Sequence, residues 1–268
     1  MKVLTAKEIQ QEELAMLRAL ASFCQKNKIN YSLGGGTLLG AIRHKGFIPW
    51  DDDIDVSLSR TDYSLLLSYK NEFEKTTGLK LIGYVVDDIK WAPFVKVINP
   101  KIRVRSPKEI TDLYLWVDVF PVDGLPNLLI FQRIQIQLIT ALRKFLSIYL
   151  FRSDISESKF KNIIRFVLKV FKFFPALKLI ICVLIYKLST LYTYGKTENV
   201  AALSWGLYGV NEVIPFTGYQ KKKTVVFAGI PCQMMSCWHT YLSQLYGDYM
   251  KLPPERERVN HSILAYRI

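Results

Sequence analysis

The sequence predicts an α+β fold: a mixed sheet with flanking helices, interrupted by a largely helical basic insert. Three observations predict it. Short strand-like runs, among them Tyr31–Leu33, Ile54–Leu58 and Leu113–Phe120, are interspersed with helical periodicities. Four carboxylates fall within five residues, Asp51, Asp52, Asp53 and Asp55, in a chain of net charge +13. And +10 of that charge lies in residues 128–196, where twelve Lys+Arg face two acids, Asp154 and Glu157. The boundaries follow: 1–127 as a core, 128–196 as the insert, and 197–268 as a C-terminal part completing the core. With 268 residues, 50% hydrophobic and 13% aromatic, global disorder is excluded.

In chain order, Thr5-Ala6-Lys7-Glu8 has the form of a capping box, and Ile9, Met16, Leu20 and Phe23 recur on one stripe, predicting a helix over Lys7–Lys26. A turn at Asn27–Asn30 leads to a short strand, Tyr31–Leu33, running into Gly34-Gly35-Gly36. A helix then follows over Thr37–His44, its N-terminus facing whatever the glycines cradle. Gly46 and Pro49 break the chain before a strand over Ile54–Leu58. A single helix is predicted from Thr61 to about Lys75, then strands over Leu79–Val85, Ala92–Ile98, Ile102–Arg105 and Leu113–Phe120, the last ending in a turn at Pro121–Pro126.

In the insert, Phe160, Ile163, Val167, Phe171 and Phe174 line one helical side, and Lys161, Arg165, Lys169 and Lys172 another. This cationic amphipathic helix, with the apolar stretch Ala176–Leu191 after it, suits an anionic membrane surface; Lys178 and Lys187 argue against a spanning helix. Thr224–Pro231 reads as strand and turn, and Ser236 as the cap of a helix over Cys237–Tyr246 that stops at Gly247. The N-terminus lacks an apolar signal region, and four scattered cysteines suit a reducing cytoplasm.

The chemistry centres on the acids. Hard divalent cations prefer carboxylate oxygen and take few protein ligands when phosphates supply the rest. Strand alternation puts Asp53 and Asp55 on one face, about 7 Å apart at their α-carbons, with Ile54 and Val56 turned to the core. Asp118, alone among apolar neighbours on its strand, is the candidate third ligand or a base. Such a site serves phosphoryl or nucleotidyl transfer with Mg²⁺, or Mn²⁺ in its stead. Gly35, Gly36 and Thr37 at the helix start, Arg43 and Lys45 after it, Trp50 beside the acids, and His261 near the C-terminal arginines are the candidate donor-binding residues. Cys232, Cys237 and His239 match no standard zinc spacing and are read as core sulfur and surface histidine.

The run Gly35-Gly36-Thr37-Leu38-Leu39-Gly40-Ala41-Ile42-Arg43, then Gly46–Val56, closely resembles the signature of the LicD family. The resemblance continues at Val117–Pro126 and resumes from Phe227–Pro231 to Tyr246–Met250 and Pro253-Pro254, leaving the basic insert poorly matched. It implies a nucleotidyltransferase-like fold and a Mg²⁺-dependent enzyme. The implied reaction moves phosphocholine, or a related polyol phosphate, from a CDP-activated donor, CDP-choline being favoured, to a glycan or its lipid-linked precursor. It also implies a location at the inner face of the cell membrane, with no nucleic acid as partner. The glycine motif corresponds to Gly35 and Gly36, the acid pair to Asp53 and Asp55, and the third acid to Asp118. Fukutin-related proteins are similar at this motif yet use ribitol phosphate, so the motif leaves the alcohol open. Two rivals remain: a nucleotidyltransferase releasing pyrophosphate, and a non-catalytic binding module, which would have no need of four clustered acids.

Overall fold

The computed structural model describes residues 2–83, 93–105, 113–150, 175–255, 258 and 263–268. The predicted cationic helix through Phe160–Phe174 and His261 lie outside the described residues. Among the described residues a nine-stranded mixed sheet, a separate hairpin and eight α-helices make the α+β fold that the sequence predicts.

Helix α1, Ala6–Lys26, opens on its capping box: Thr5 Oγ1 accepts from the Glu8 N–H at 3.3 Å, and Glu8 accepts from the Thr5 N–H at 2.8 Å. Its apolar stripe packs on a sheet whose main path is β1 (Lys2–Val3), β11 (Leu264–Arg267), β5 (Val95–Arg105), β6 (Leu113–Gly124), β3 (Asp55–Ser59), β2 (Ser32–Leu33). β3 and β6 are parallel; the other pairs on the path are antiparallel. The parallel pair is possible because the chain between them detours through helices α3 (Arg60–Ser68) and α4 (Lys70–Thr77), then β4 (Lys80–Gly83) and β5.

Several local expectations change. The two strands expected over Ala92–Ile98 and Ile102–Arg105 are one strand, β5, with a register shift between Asn99 and Arg103. This bulge lets its first half pair with β4 and its second half with β11. The single helix expected from Thr61 to Lys75 breaks at Tyr69, whose backbone leaves helical geometry. The expected turn at Pro121–Pro126 is mostly strand, because Val122 still pairs with β3 and Asp123 with Ala201 of β7 (Asn199–Ala201). Ser236 does not cap: its hydroxyl donates to the Gly218 carbonyl at 2.9 Å, and the residue before helix α8 (Trp238–Tyr246) is Cys237. The chain at Thr224–Pro231 is a hairpin of β9 (Lys222–Phe227) and β10 (Ile230–Met235), turned by Ala228 and Gly229, both with left-handed φ.

Helix α5, Leu129–Leu150, packs against α6, Pro175–Ser189, over a second apolar cluster that includes Ile136, Ile139, Ile181 and Ile185. Its polarity is partly inverted. Gln132 and Gln135 are buried and donate to the Pro126 and Leu188 carbonyls, while Leu129, Ile130, Phe131, Ile134 and Leu138 are exposed. No helix among the described residues is long and apolar enough to cross a membrane.

Candidate active site

The acids converge because two strands put them in register. Asp55 opens β3 and lies directly opposite Asp118 in the parallel ladder, and Lys96 of β5 lies opposite Asp118 on the other side. Ile54 and Val56, fully buried, anchor β3 in the core and leave Asp53 and Asp55 on the face away from it. Carboxylate oxygens of Asp53, Asp55 and Asp118 all lie within 4.8 Å of one another. The Asp118 carboxylate receives the Lys96 ammonium at 2.7 Å and the Trp116 indole N–H at 3.2 Å, and the Lys96 ammonium stands 4.3 Å from the centre of the Trp116 ring.

The glycines belong to a helix rather than to a loop before it. Helix α2 spans Gly35–Arg43 with Gly34 at its N-cap, so its N-terminus opens beside the acids. Gly35 has φ +45°, and a Cβ there would sit 2.9 Å from Asp55 Oδ2; a Cβ on Gly36 would sit 2.5 Å from Asp51 Oδ2. The left-handed φ favours glycine at Gly35, and a Cβ at either position would displace a carboxylate from its place beside this turn. Thr37 is buried, and its hydroxyl accepts the Asp55 N–H at 2.8 Å, while the Gly34 N–H donates to the Asp55 carbonyl at 3.0 Å. Helix α2 and strand β3 are therefore tied at the residue that carries the central acid.

Burial, then the charges of Asp53, Asp118 and Asp51, push the Asp55 carboxyl well above the ordinary carboxylate range, against the opposing charge of Lys96. Three hard oxygen donors at such spacing fit a divalent cation such as Mg²⁺, held by Asp53, Asp55 and Asp118, whose charge would lower the repulsion.

The acids open into a cavity of about 1090 Å³. Asp51, Asp53 and Asp55 and the glycine turn line one part of it, and Arg43, Lys251 and Arg258 line another. A third part is aromatic, with Trp205, Tyr208, Tyr241 and Tyr246. An anionic metal-type centre, a cationic rim and aromatic surface in one volume suit a phosphorylated ligand with an organic head.

A family model described as "LicD/FKTN/FKRP, nucleotidyltransferase domain" matches residues 28–124. The chain is 30% identical to "Lipopolysaccharide cholinephosphotransferase LicD" of Haemophilus influenzae over 98% of each chain. The chain belongs to the LicD family. An uncharacterized protein of Rickettsia prowazekii is 43% identical over 61 residues, 23% of this chain and 21% of that one. The LicD domain match contains all three clustered acids, the glycine turn and Arg43, but stops before Trp205, Tyr208, Tyr241, Tyr246, Lys251 and Arg258.

Not every residue expected in this LicD site is a wall of the cavity. Gly35, Gly36, Arg43 and Trp50 line it, and the Arg258 guanidinium lies 4.9 Å from the centre of the Trp50 ring. Arg43 also donates to the Tyr249 and Lys251 carbonyls, at 2.7 and 3.2 Å, so it braces the tail as well as facing the cavity. Thr37 ties strand to helix, as above. Lys45 is not among the lining residues; it has a left-handed backbone, and its ammonium donates to the Ile42 carbonyl at 3.2 Å. The four cysteines are free, and His239 shares a 2.6 Å hydrogen bond with the Tyr249 hydroxyl, so no zinc set forms there among the described residues.

Sequence reasoning missed three groups. Lys96 sits between Val95 and Val97, a cation inside an apolar strand run, and that interruption was its signal. Glu13 interrupts the apolar stripe of α1 and is buried; burial first, then the charges of Asp53, Asp52, Asp51 and Asp118, push its carboxyl well above the ordinary range. Glu212, at the end of the 3₁₀ turn Gly209–Glu212, is buried and lines the cavity, and nothing in its neighbouring sequence marks it.

Proposed function

We propose that this LicD-family chain is a Mg²⁺-dependent transferase that moves phosphocholine from CDP-choline to a hydroxyl of a cell-surface glycan or its lipid-linked precursor. The observation that carries the reading is the convergence of Asp53, Asp55 and Asp118 beside the N-terminus of helix α2, with Asp53 and Asp55 lining a cavity that also has a cationic rim and Asp118 buried behind them. The full-length similarity to a lipopolysaccharide cholinephosphotransferase supports the choice of phosphocholine and of a glycan acceptor.

In this reading the α2 N–H groups and the rim of Arg43, Lys251 and Arg258 hold the donor's diphosphate and nucleotide. Asp53 and Asp55, with Asp118, would hold Mg²⁺, which supplies neutralisation of phosphate charge when bound. Lys96 and Trp116 keep the Asp118 carboxylate turned toward Asp55. The acceptor hydroxyl oxygen forms a bond to the phosphorus bearing choline. The bond from that phosphorus to the bridging oxygen breaks, CMP leaves with the electron pair, and the hydroxyl proton passes to a carboxylate of the cluster.

The exposed apolar side of α5, together with the exposed basic residues Arg133, Lys144 and Lys187, supports a peripheral contact with an anionic lipid surface at the inner face of the cell membrane. A lipid-linked acceptor would be presented there.

Incubating the protein with Mg²⁺, a lipopolysaccharide-type acceptor and CDP-choline, CDP-ribitol or CDP-glycerol tests the reading. CMP release that depends on CDP-choline and acceptor is the expected result. Pyrophosphate release from a nucleoside triphosphate instead would make the chain a nucleotidyltransferase and overturn the assignment.

A further inference from the structure

We propose that Trp205, Tyr208, Glu212, Tyr241 and Tyr246 form a subsite for the quaternary ammonium head of the donor, which selects choline over a polyol. The inference rests on the function proposed above and deepens it by assigning the group that recognises the alcohol.

A trimethylammonium group has no N–H to donate. It is held by the faces of aromatic rings and by negative charge at a distance, whereas a polyol needs a set of hydrogen-bonding partners. This wall of the cavity has the first character. The Tyr208 and Tyr246 rings meet edge to face, with centres 5.4 Å apart. The Tyr241 hydroxyl accepts the Gly35 N–H at 3.2 Å, and the Tyr246 hydroxyl lies 3.9 Å from where a Cβ on Gly35 would stand. The aromatic wall therefore begins at the glycine turn, next to the acids, as a head group two carbons from a phosphate requires.

Glu212 is the negative charge of this wall. It is buried, and it lines the cavity. Its carboxylate accepts the Tyr208 N–H at 3.4 Å, and its Cγ and Cδ lie 2.9 and 3.2 Å from where a Cβ on Gly206 would stand, so that glycine admits it. The groups that face it are the backbone N–H of Tyr208 and Leu207, the Tyr208 phenol, Tyr241 of α8, and Arg143 of α5. Arg143 directs its guanidinium to the Gly206 carbonyl, with its centre 5.9 Å from the middle of the Trp205 ring. Burial outweighs these and pushes the Glu212 carboxyl up to about 7. A buried acid so weakly opposed gains most from a permanent cation that brings no competing donors.

Titration calorimetry on the full chain with MgCl₂ tests this, using CDP-choline, its uncharged carbon isostere CDP-3,3-dimethylbutanol, and CMP. The wild type should bind CDP-choline about tenfold more tightly than the isostere, the scale of a desolvated cation on aromatic faces. Glu212→Gln and Tyr208→Leu should each reduce that preference to about twofold or less. In the wild type the preference should grow as pH rises through about 7, and in Glu212→Gln it should stay flat. Equal binding of the two donors by the wild type overturns the subsite without any variant having to fold. So does a Glu212→Gln effect confined to the KM of the glycan acceptor, which would assign the wall to the sugar. Tight CMP binding with no charge preference removes the subsite alone; failure of both CMP and CDP-choline to bind removes the proposed function with it.

Discussion

Asp55 and Asp118 stand directly opposite one another in the parallel ladder of β3 and β6, with both carboxylates reaching the same small volume as Asp53. Like charges opposed on neighbouring strands repel, and burial first, then the charges of Asp53, Asp118 and Asp51, push the Asp55 carboxyl well above the ordinary carboxylate range. Replacing Asp55 by Asn should therefore have opposite effects on stability and function. In EDTA the variant should melt about 3 °C higher than the wild type. It should also lose the rise in Tm that MgCl₂ produces in the wild type, and transfer should fall by about 10³-fold or more. Scanning fluorimetry with and without MgCl₂ reads the first two effects; a magnesium shift that survives in Asp55→Asn would exclude Asp55 as a ligand.

Lys96 acts on the same carboxylates from β5. Its ion pair with Asp118 is largely removed from solvent, with side-chain exposures of 15% and 11%. Removing one partner leaves the other charge buried without compensation, so Lys96→Met should destabilise the fold by about 3 kcal/mol in urea titration. The double variant Lys96→Met/Asp118→Asn should recover more than half of that loss. Simple addition of the two single effects would show that the pair is not coupled.

The glycines give a steric prediction. Ala at Gly36 would press its Cβ to 2.5 Å from Asp51 Oδ2, and Ala at Gly35 would add a left-handed φ of +45° to a 2.9 Å contact with Asp55 Oδ2. Each should lower kcat/KM by about 10²-fold, by moving carboxylates or the helix terminus out of alignment. Gly229→Ala, where a Cβ meets nothing within 4 Å and only the φ of +80° opposes it, should cost about 1 kcal/mol of stability and leave turnover near wild type.

Glu212 makes stability depend on pH. Its carboxyl is raised from the usual 4.5 to about 7, chiefly by burial, so between those values the folded chain keeps a proton that the unfolded chain releases. Stability is thus lost as pH rises from about 4.5 to about 7 and is constant beyond. Glu212→Gln removes this dependence: at pH 8 it should be more stable than the wild type by up to about 3 kcal/mol, and at pH 4 by little. Urea midpoints at the two pH values measure the difference, and an equal gain at both would exclude titration of Glu212 as its source.

The apolar side of α5 makes a prediction outside the cavity. Ile134→Gln/Leu138→Gln changes exposed residues, so its urea midpoint should stay within about 0.5 kcal/mol of the wild type. Flotation with phosphatidylglycerol vesicles should recover about tenfold less of it, since each side chain adds about 1 kcal/mol or more to burial in the interface. Unchanged recovery would show that this face does not meet lipid.

Much of the centre was legible in the chain because it depends on short-range rules. Asp53 and Asp55 are two residues apart at the edge of a strand, and alternation alone sends both to one side while Ile54 and Val56 go to the core. The glycine run before a helix, and Asp118 inside an apolar run, were visible for the same reason. Lys45 could be placed after a phosphate-type helix from the chain alone, but its left-handed backbone and the turn of its ammonium to the Ile42 carbonyl could not. Tyr69 broke a helix whose apolar period continued past it, and a bulge joined two strands that looked separate.

By itself the sequence determined the α+β class, the acid pair with its glycine turn, and the family to which they belong, since each is encoded in contiguous residues whose periodicity dictates their direction. Only the tertiary structure decided what surrounds the pair. The register of β3 on β6 brought Asp118 to Asp55, the register of β5 on β6 brought Lys96 to Asp118, and the packing of α8 against the turn Gly209–Glu212 brought Tyr241 and Tyr246 to the glycines and Glu212 to the same cavity. Pairing between distant strands and contacts between distant helices depend on the whole core closing, and no local pattern records them.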